Sequence, residues 1–494
     1  MRGDTQATTI GPLPTHSSAR SRRAAVSTRL VWLLWVASLG VLAAAAAGVT
    51  PLDGLGVRVD GLTAVMWTAV TFFSGIVHSY SRRYVAGDAH VDRFFGLVFG
   101  FTVAVMVLVA ADAFALFVLA WLAMGAAMAG LIGHADGWPQ ARAAARLAAR
   151  YFAASGVLVA TALATLWWHT GVTRVSAVSG ELAAATPTVV LAAGALLVLA
   201  AMVQSALIPF HTWLLSSMTA PTPASALMHA GFVNAGGVLL VRFAPVVSAD
   251  AGLMFVVVAV GAASAILGKL LKTVQTDVKR ALGCSTVGQM GFMIVQAGLG
   301  FFAAAVAHLV LHGFYKAYQF LSSGDRVEHT SPMADTEQAS TGVLDGVVVA
   351  GTAVAGGAVF AVLTGKGTGV DTGLLLTLLV VVTVLHAARE TVSRATLSPR
   401  LRYGAVPAVA VPAIAVYALV YRAFSALLGG LPAVGEPAAL GVGHVVVALA
   451  FLAAYVAVET GAHRRSTRLY VALMNATQPP TNTQLTTTEE YDAS

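Results

Sequence analysis

Apolar runs of about 20 residues, enough for a helix to cross a bilayer, recur along the chain at 30–49, 62–80, 94–111, 112–131, 146–168, 188–207, 224–246, 252–271, 280–299, 302–322, 343–363, 372–390, 404–428 and 438–458. The pattern predicts an all-α polytopic membrane protein with about 14 transmembrane helices. The loop charges test the count independently. If Arg20, Arg22, Arg23 and Arg29 are cytoplasmic, every second loop should be basic. Those loops hold Arg82 and Arg83; Arg142 and Arg146; Lys272, Lys279 and Arg280; Arg326; Arg394, Arg400 and Arg402; and Arg464, Arg465 and Arg468. The intervening loops hold little beyond Arg174 and Lys366. The alternation predicts an even number of spans in a plasma (cell inner) membrane, with both termini cytoplasmic.

Residues 1–28 are rich in Ser, Thr and Arg and lack an apolar core with its own cleavage site, so they are expected to be a disordered cytoplasmic tail rather than a secretory signal. One membrane domain is expected over 29–460. A second cytoplasmic tail is expected over 461–494, too polar to pack from about residue 474. A connector at 323–342 divides ten spans from four.

Composition agrees. A chain of 494 residues that is 57% hydrophobic and 10% charged, with a mean hydropathy of +0.79, is unlike an ordinary soluble enzyme, whose charged fraction is about 25%. The single Cys284 can form neither an intrachain disulfide nor a multi-thiol metal site. The formal charge of +7 sets topology in a membrane protein and is no sign of nucleic-acid binding.

The candidate chemistry lies in ionisable residues at membrane depth. His308, His312 and Lys316 recur every four residues, so they share one helical face. Histidine exchanges protons near neutral pH, and a desolvated lysine can do the same, so this face can relay a proton. The bland alternative is a set of packing residues. The i, i+4 histidines also have the spacing of a zinc pair, but no adjacent Glu completes the HExxH pattern. Upstream, Gln204 ends an apolar helix, Pro209 breaks it and His211 follows, before Pro221 and Pro223 lead into a helix with His229 and Asn234. An interrupted helix frees backbone groups that water or ions can satisfy. Gly236 and Gly237 are read as close-approach positions. Arg242 is placed near the end of its span, where it can snorkel. Asp277 is a candidate helix cap. Lys269 and Lys272 are equally topogenic charges or the inner end of a conduction path. His386, Arg389 and Glu390 are spaced for a local ion pair. Pro407 and Pro412 are expected to interrupt a second helix. TGKGTG at 364–369 departs from the phosphate-binding pattern G-x-x-x-x-G-K-[ST], so no catalytic machinery is expected in this chain.

In order and spacing, PFHTWL, PTPASALMHA, QTDVKRALGCSTVGQMGF and HLVLHGFYKAYQFLSSG resemble the proton-translocating antiporter-like subunits of respiratory complex I (the NuoL type) and of Mrp cation/proton antiporters. The resemblance covers roughly residues 60–330. It implies a bundle holding two inverted five-helix repeats, each with a broken helix, and it puts His229, His308, His312 and Lys316 at family positions on a buried proton path. Two departures stand out. Where the family has Trp-Glu, this chain has Trp121-Leu122, and where it has a lysine five residues before the proline of the broken helix, this chain has Gln204.

The stretch FHTWLLSS, followed by PTPASALMHAG, then Asn234 with adjacent glycines, together with SRRYVAGDAHVDRFF at 81–95, is more closely similar to the DabB family of inorganic-carbon accumulating systems. That resemblance implies a DabA-type partner, a carbonic-anhydrase-like protein that carries zinc, with no cofactor in this chain. It also implies coupling of CO2/bicarbonate uptake to a cation gradient, expected to be protons rather than Na+. The alternatives are a subunit of an Mrp-type Na+/H+ antiporter or of a complex I-like pump, and a structural scaffold.

Overall fold

The computed structural model describes residues 21–49, 52–326, 342–392, 401–435, 437–461 and 465–483. Helices run over α1 (Arg22–Ala46), α2 (Gly61–Tyr84), α3 (Val91–Ala110), α4 (Phe114–Ile132), α5 (Pro139–Thr170), the short α6 (Val178–Glu181), α7 (Pro187–Gln204), α8 (Thr212–Ser216), α9 (Thr222–Ala230), α10 (Ala235–Arg242), α11 (Ala244–Val247), α12 (Ala251–Thr273), α13 (Val278–Gly298), α14 (Phe302–Leu321), α15 (Val343–Thr364), α16 (Gly373–Val392), α17 (Val406–Leu427), α18 (Val442–Glu459) and α19 (Thr467–Thr477). A two-stranded antiparallel hairpin, β1 (Leu52–Gly54) with β2 (Val57–Val59), covers one end.

Among the described residues, eleven helical stretches, one of them the interrupted Thr222–Arg242, are long and apolar enough to cross a membrane by length and composition. The other expected spans, 280–299, 302–322 and 372–390, coincide with α13, α14 and α16. Of these, α14 and α16 carry His308, His312, Lys316 and His386, and such residues lower the apolarity of the stretch they occupy. The chain is a multi-pass membrane protein.

Local chemistry sets the helix ends. Asp60, Asp250 and Asp277 accept from backbone amides of the first turns of α2, α12 and α13, which satisfies donors that have no partner inside a helix. The expected capping role of Asp277 is therefore present. Packing depends on small residues. The helices α12 and α13 run together along their lengths, and a Cβ on Gly291 would lie 2.6 Å from the Gly261 carbonyl oxygen, one on Gly298 2.8 Å from the Val258 amide. Absent side chains let the backbones meet. Gly237 serves the same purpose against Met293, where a Cβ would lie 2.6 Å from the sulfur. An aromatic cluster binds the first half together: Phe152 meets Trp213 at 4.8 Å and Phe232 at 4.5 Å between ring centroids, and Phe117 meets Phe243 at 5.5 Å.

Several expectations change. Ser21 caps α1, so helix begins at Arg22 inside the segment read as tail. The polar stretch after residue 461 is not all unpacked. Helix α19 is amphipathic, and its Leu473 packs with Leu215, Leu271 and Val274, while Thr477 and Thr483 are also buried. Pro407 sits in the first turn of α17 and Pro412 lies inside a continuous helix, so no second break occurs there. Residues 1–20, 327–341 and 484–494, with Arg394, Arg400 and Arg464, lie outside the described residues.

Candidate ion-translocation site

The chain leaves helical geometry after Gln204. Ala206 has a positive φ of 53°, and the Ile208–Pro209 bond is cis. Pro209 is exposed, and His211 Nε2 donates to the Ala476 carbonyl at 3.0 Å. His211 therefore ties α19 beneath the break and does not join the other histidines. Trp213 Nε1 donates to the Val203 carbonyl and Ser205 Oγ to the Val233 carbonyl, so two side chains satisfy carbonyls near the break. Gln204 is fully buried, and neither polar atom of its amide has a partner among the described residues.

A second interruption was not visible in the hydropathy pattern. The span read as one helix over 224–246 stops at Ala230, turns through Gly231 and a tight turn at Phe232–Asn234, and resumes as α10. Asn234 Nδ2 donates to the Ala230 carbonyl at 2.7 Å. Its Oδ1 has no partner among the described residues. Asn234 borders a cavity of about 20 Å³ with Met66, Met124 and Leu309, room for about one water.

The interruption places His229 at the end of α9 against α13 and α14. Its ring stacks on Phe320 with centroids 4.3 Å apart, and Nδ1 lies 3.0 Å from Thr286 Oγ1. Thr286 Oγ1 donates to the Leu282 carbonyl at 2.9 Å. The same carbonyl accepts from Lys316 Nζ at 3.0 Å. With its own proton committed to Leu282, Thr286 accepts from His229, which assigns the histidine proton to Nδ1. Lys316 has no exposed surface. One turn away His312 is buried, and its ring is stacked on His308, 5.9 Å between centroids and inclined by 21°. The Nε2 atoms of His229 and His308 and both ring nitrogens of His312 have no partner among the described residues. The i, i+4 spacing puts His308, His312 and Lys316 on one face of α14, and the fold brings His229, which the family resemblance had named, against Phe320 and Thr286 beside them. Thr286 and Leu282 were missed, because neither is ionisable.

His308 and His312 line a cavity of about 630 Å³ together with Lys269, Lys272, His386, Tyr417 and Tyr455. Lys269 Nζ lies 2.8 Å from His386 Nε2. His386 Nδ1 lies 2.6 Å from Glu459 Oε1, and Arg389 Nε lies 2.7 Å from Glu459 Oε2. His386 and Arg389 meet Glu459 of α18; the expected local pair with Glu390 falls on a side chain outside the described residues. Lys272 is exposed. Sequence reading ended the last span at 458 and overlooked Glu459.

At the opposite end of the bundle, Arg242 does not snorkel. Its side chain is buried, donating to both Asp60 oxygens, to Thr63 Oγ1 and to the Val109 carbonyl. Burial raises the Asp60 pKa, but the Arg242 charge and the hydrogen bonds from Arg242 and Thr63 outweigh it and hold the carboxyl below its ordinary 3.8. Both groups border a cavity of about 620 Å³ with Arg58, Asp112 and Ser176.

The chain is similar to known proteins over part of its length. Residues 111–344 match the family described as NADH:quinone oxidoreductase/Mrp antiporter, TM, and residues 54–95 match the complex I chain 5 N-terminus. The chain is 38% identical over 276 residues to a probable inorganic carbon transporter subunit DabB1 of Halothiobacillus neapolitanus, covering 54% of this chain and 49% of the relative. It is 37% identical over 274 residues to a probable inorganic carbon transporter subunit DabB of Bacillus subtilis, covering 55% and 54%. It is 35% identical over 281 residues to NADH-quinone oxidoreductase subunit L of Mycobacterium tuberculosis, covering 56% and 44%. The chain thus spans about half the length of the curated relatives it matches. In fold it is similar to a chain of the Mrp complex from a Dietzia species, with a TM-score of 0.62 and 22% identity over 92% of this chain and 57% of that one. A chain of the archaeal membrane-bound sulfane sulfur reductase gives 0.59 and 15% identity over 95% and 93%. The resemblance carried by the motifs is matched by these relatives.

Proposed function

We propose that this chain, whose membrane core at residues 111–344 matches the antiporter family of respiratory and Mrp subunits, conducts protons and couples their gradient to inorganic-carbon uptake by a partner. One observation carries the ion path. His229, Lys316, His312 and His308 lie along neighbouring faces of α9 and α14 in a buried interior, and four of their ring nitrogens have no protein partner among the described residues. Buried polar atoms left unpaired cost about 1–3 kcal/mol each. Their retention is accounted for when water and a moving proton occupy them in turn. The path continues through the 630 Å³ cavity to Lys269 and Lys272. Gln204 ends the helix before the first break and Asn234 closes the second, and each leaves an amide atom without a partner among the described residues, while Pro209 and His211 lie within the first break.

The carbon assignment is supported by the similarity to DabB subunits. In this reading, catalysis lies on a DabA-type zinc partner resembling a carbonic anhydrase, and the chain holds that partner at the cytoplasmic face of the inner membrane. A charge crossing 100 mV releases about 2.3 kcal/mol, a shift of roughly fifty-fold in an equilibrium. That suffices to draw hydration in one direction. The second reading, an Mrp-type Na+/H+ antiporter or complex I-like subunit, is favoured by the fold similarity to the Mrp chain.

Affinity purification of the tagged chain from its native membranes, with mass spectrometry and zinc analysis, separates the two. Recovery of one large zinc-containing soluble protein is expected. Several small membrane subunits without zinc would overturn the carbon assignment. Variants Lys316→Ala and His312→Ala should assemble yet lose proton flux and carbon accumulation, and wild-type uptake in both would remove the path.

A further inference from the structure

We propose that Lys269, His386 and Glu459 form a proton wire that leads from the cavity, with Glu459 as the acid that receives the proton; this rests on the path described above. The three side chains come from α12, α16 and α18, so only the tertiary structure joins them. Their geometry is directional. With Lys269 as an ammonium group, its Nζ donates to His386 Nε2 at 2.8 Å. An imidazole nitrogen that accepts carries no hydrogen, so the ring proton sits on Nδ1 and is donated to Glu459 Oε1 at 2.6 Å. Arg389 Nε occupies the other carboxylate oxygen at 2.7 Å, which fixes the carboxylate and leaves Oε1 facing the ring.

The step balances within these atoms. An Nζ–H bond of Lys269 breaks as Nε2–H of His386 forms, and Nδ1–H breaks as the O–H bond of Glu459 forms. Lysine ends as the neutral amine, the imidazole stays neutral with its proton on the other nitrogen, and the carboxylate ends as the acid. One proton equivalent has moved from α12 to α18 without any charged imidazolium persisting. Release from Glu459, reprotonation of Lys269 from the cavity and return of the ring to its first tautomer complete the cycle. A purely structural ion pair needs Arg389 and Glu459 alone. Placing an imidazole between an ammonium and a carboxylate, with both ring nitrogens engaged, provides a transfer route as well. Lys269 and His386 line the same cavity as His308 and His312, together with Lys272, Tyr417 and Tyr455.

The test uses the full chain, with whatever subunits accompany it from native membranes, reconstituted in vesicles holding a pH-sensitive dye. Proton flux is driven by an imposed membrane potential. Glu459→Gln and His386→Gln are each expected to assemble and to lower flux roughly tenfold or more, and Glu459→Asp, which keeps the carboxyl group, should recover part of it. The infrared C=O band of a protonated carboxyl that appears on acidification should be lost in Glu459→Gln. His312→Ala is run in parallel. Wild-type flux in Glu459→Gln beside an inactive His312→Ala would overturn the wire and leave the upstream path standing. Wild-type flux in both would overturn the path, and the wire with it. If Glu459→Gln does not assemble, His386→Gln decides, because its amide fills the gap but cannot relay a proton; wild-type flux there overturns the proposal.

Discussion

At the scale of single residues, the buried Arg242–Asp60 pair shows how charge is tolerated inside this bundle. Asp60 caps α2 while pairing with an arginine 182 positions away in sequence. Removing one member leaves the other charged and unpaired, at a cost of about 3–5 kcal/mol for a buried pair. Arg242→Ala is therefore expected to lower the thermal midpoint of the purified protein and to expose the hairpin end to proteolysis. The pH dependence has a definite sign. A carboxyl held below its ordinary 3.8 adds stability that is fully present above that value and is lost as pH falls through the lower folded value. In Asp60→Asn that acid-dependent component should vanish from melts recorded on the acid side of 3.8. The pair was only half legible in the sequence. Arg242 stood out as a charge in an apolar run, but nothing in its surroundings names Asp60.

At the scale of elements, close packing of α12 against α13 positions the site, since α12 carries Lys269 and α13 carries Leu282 and Thr286. A side chain on Gly291 would strike the α12 backbone, and backbone cannot rotate away as a flexible side chain does. Overpacking costs about 1–3 kcal/mol. Gly291→Val is expected to force the helices apart and reduce both the yield of monodisperse protein and proton flux, whereas Gly96→Ala, where a Cβ meets nothing within 4 Å, should leave both unchanged. Helix α19 offers a different test. Its hold on the bundle rests on Leu473 and on the Ala476 carbonyl that accepts from His211. Leu473→Asp should release the helix, read as faster hydrogen exchange over 467–477 with the rest of the chain protected. Helix lengths followed from apolar periodicity, but α19 was overlooked because a short amphipathic helix among polar residues carries little hydropathy signal.

At the scale of the whole molecule, the ionisable groups form two assemblies that share a cavity: His308 and His312 line it and lead on to Lys316 and His229, and Lys269 and His386 line it and lead on to Glu459 and Arg389. If the cavity carries the proton between them, Leu311→Trp, at a residue that lines it, is expected to slow flux while leaving the ion pairs and the fold intact, as judged by unchanged thermal stability. Sequence by itself determined the membrane class, the approximate positions of the helices and the aligned His308, His312 and Lys316, because apolar length and i, i+4 spacing are local properties of a chain. It also located the interruption after Gln204, since proline and a change of hydropathy mark it locally. Tertiary structure alone decided which polar groups meet: Asp60 with Arg242, His229 with Thr286, and Glu459 with His386 and Arg389. The physical reason is that a charge inside a bilayer must find its partner wherever the fold brings one within hydrogen-bonding distance, and separation along the chain places almost no limit on that distance.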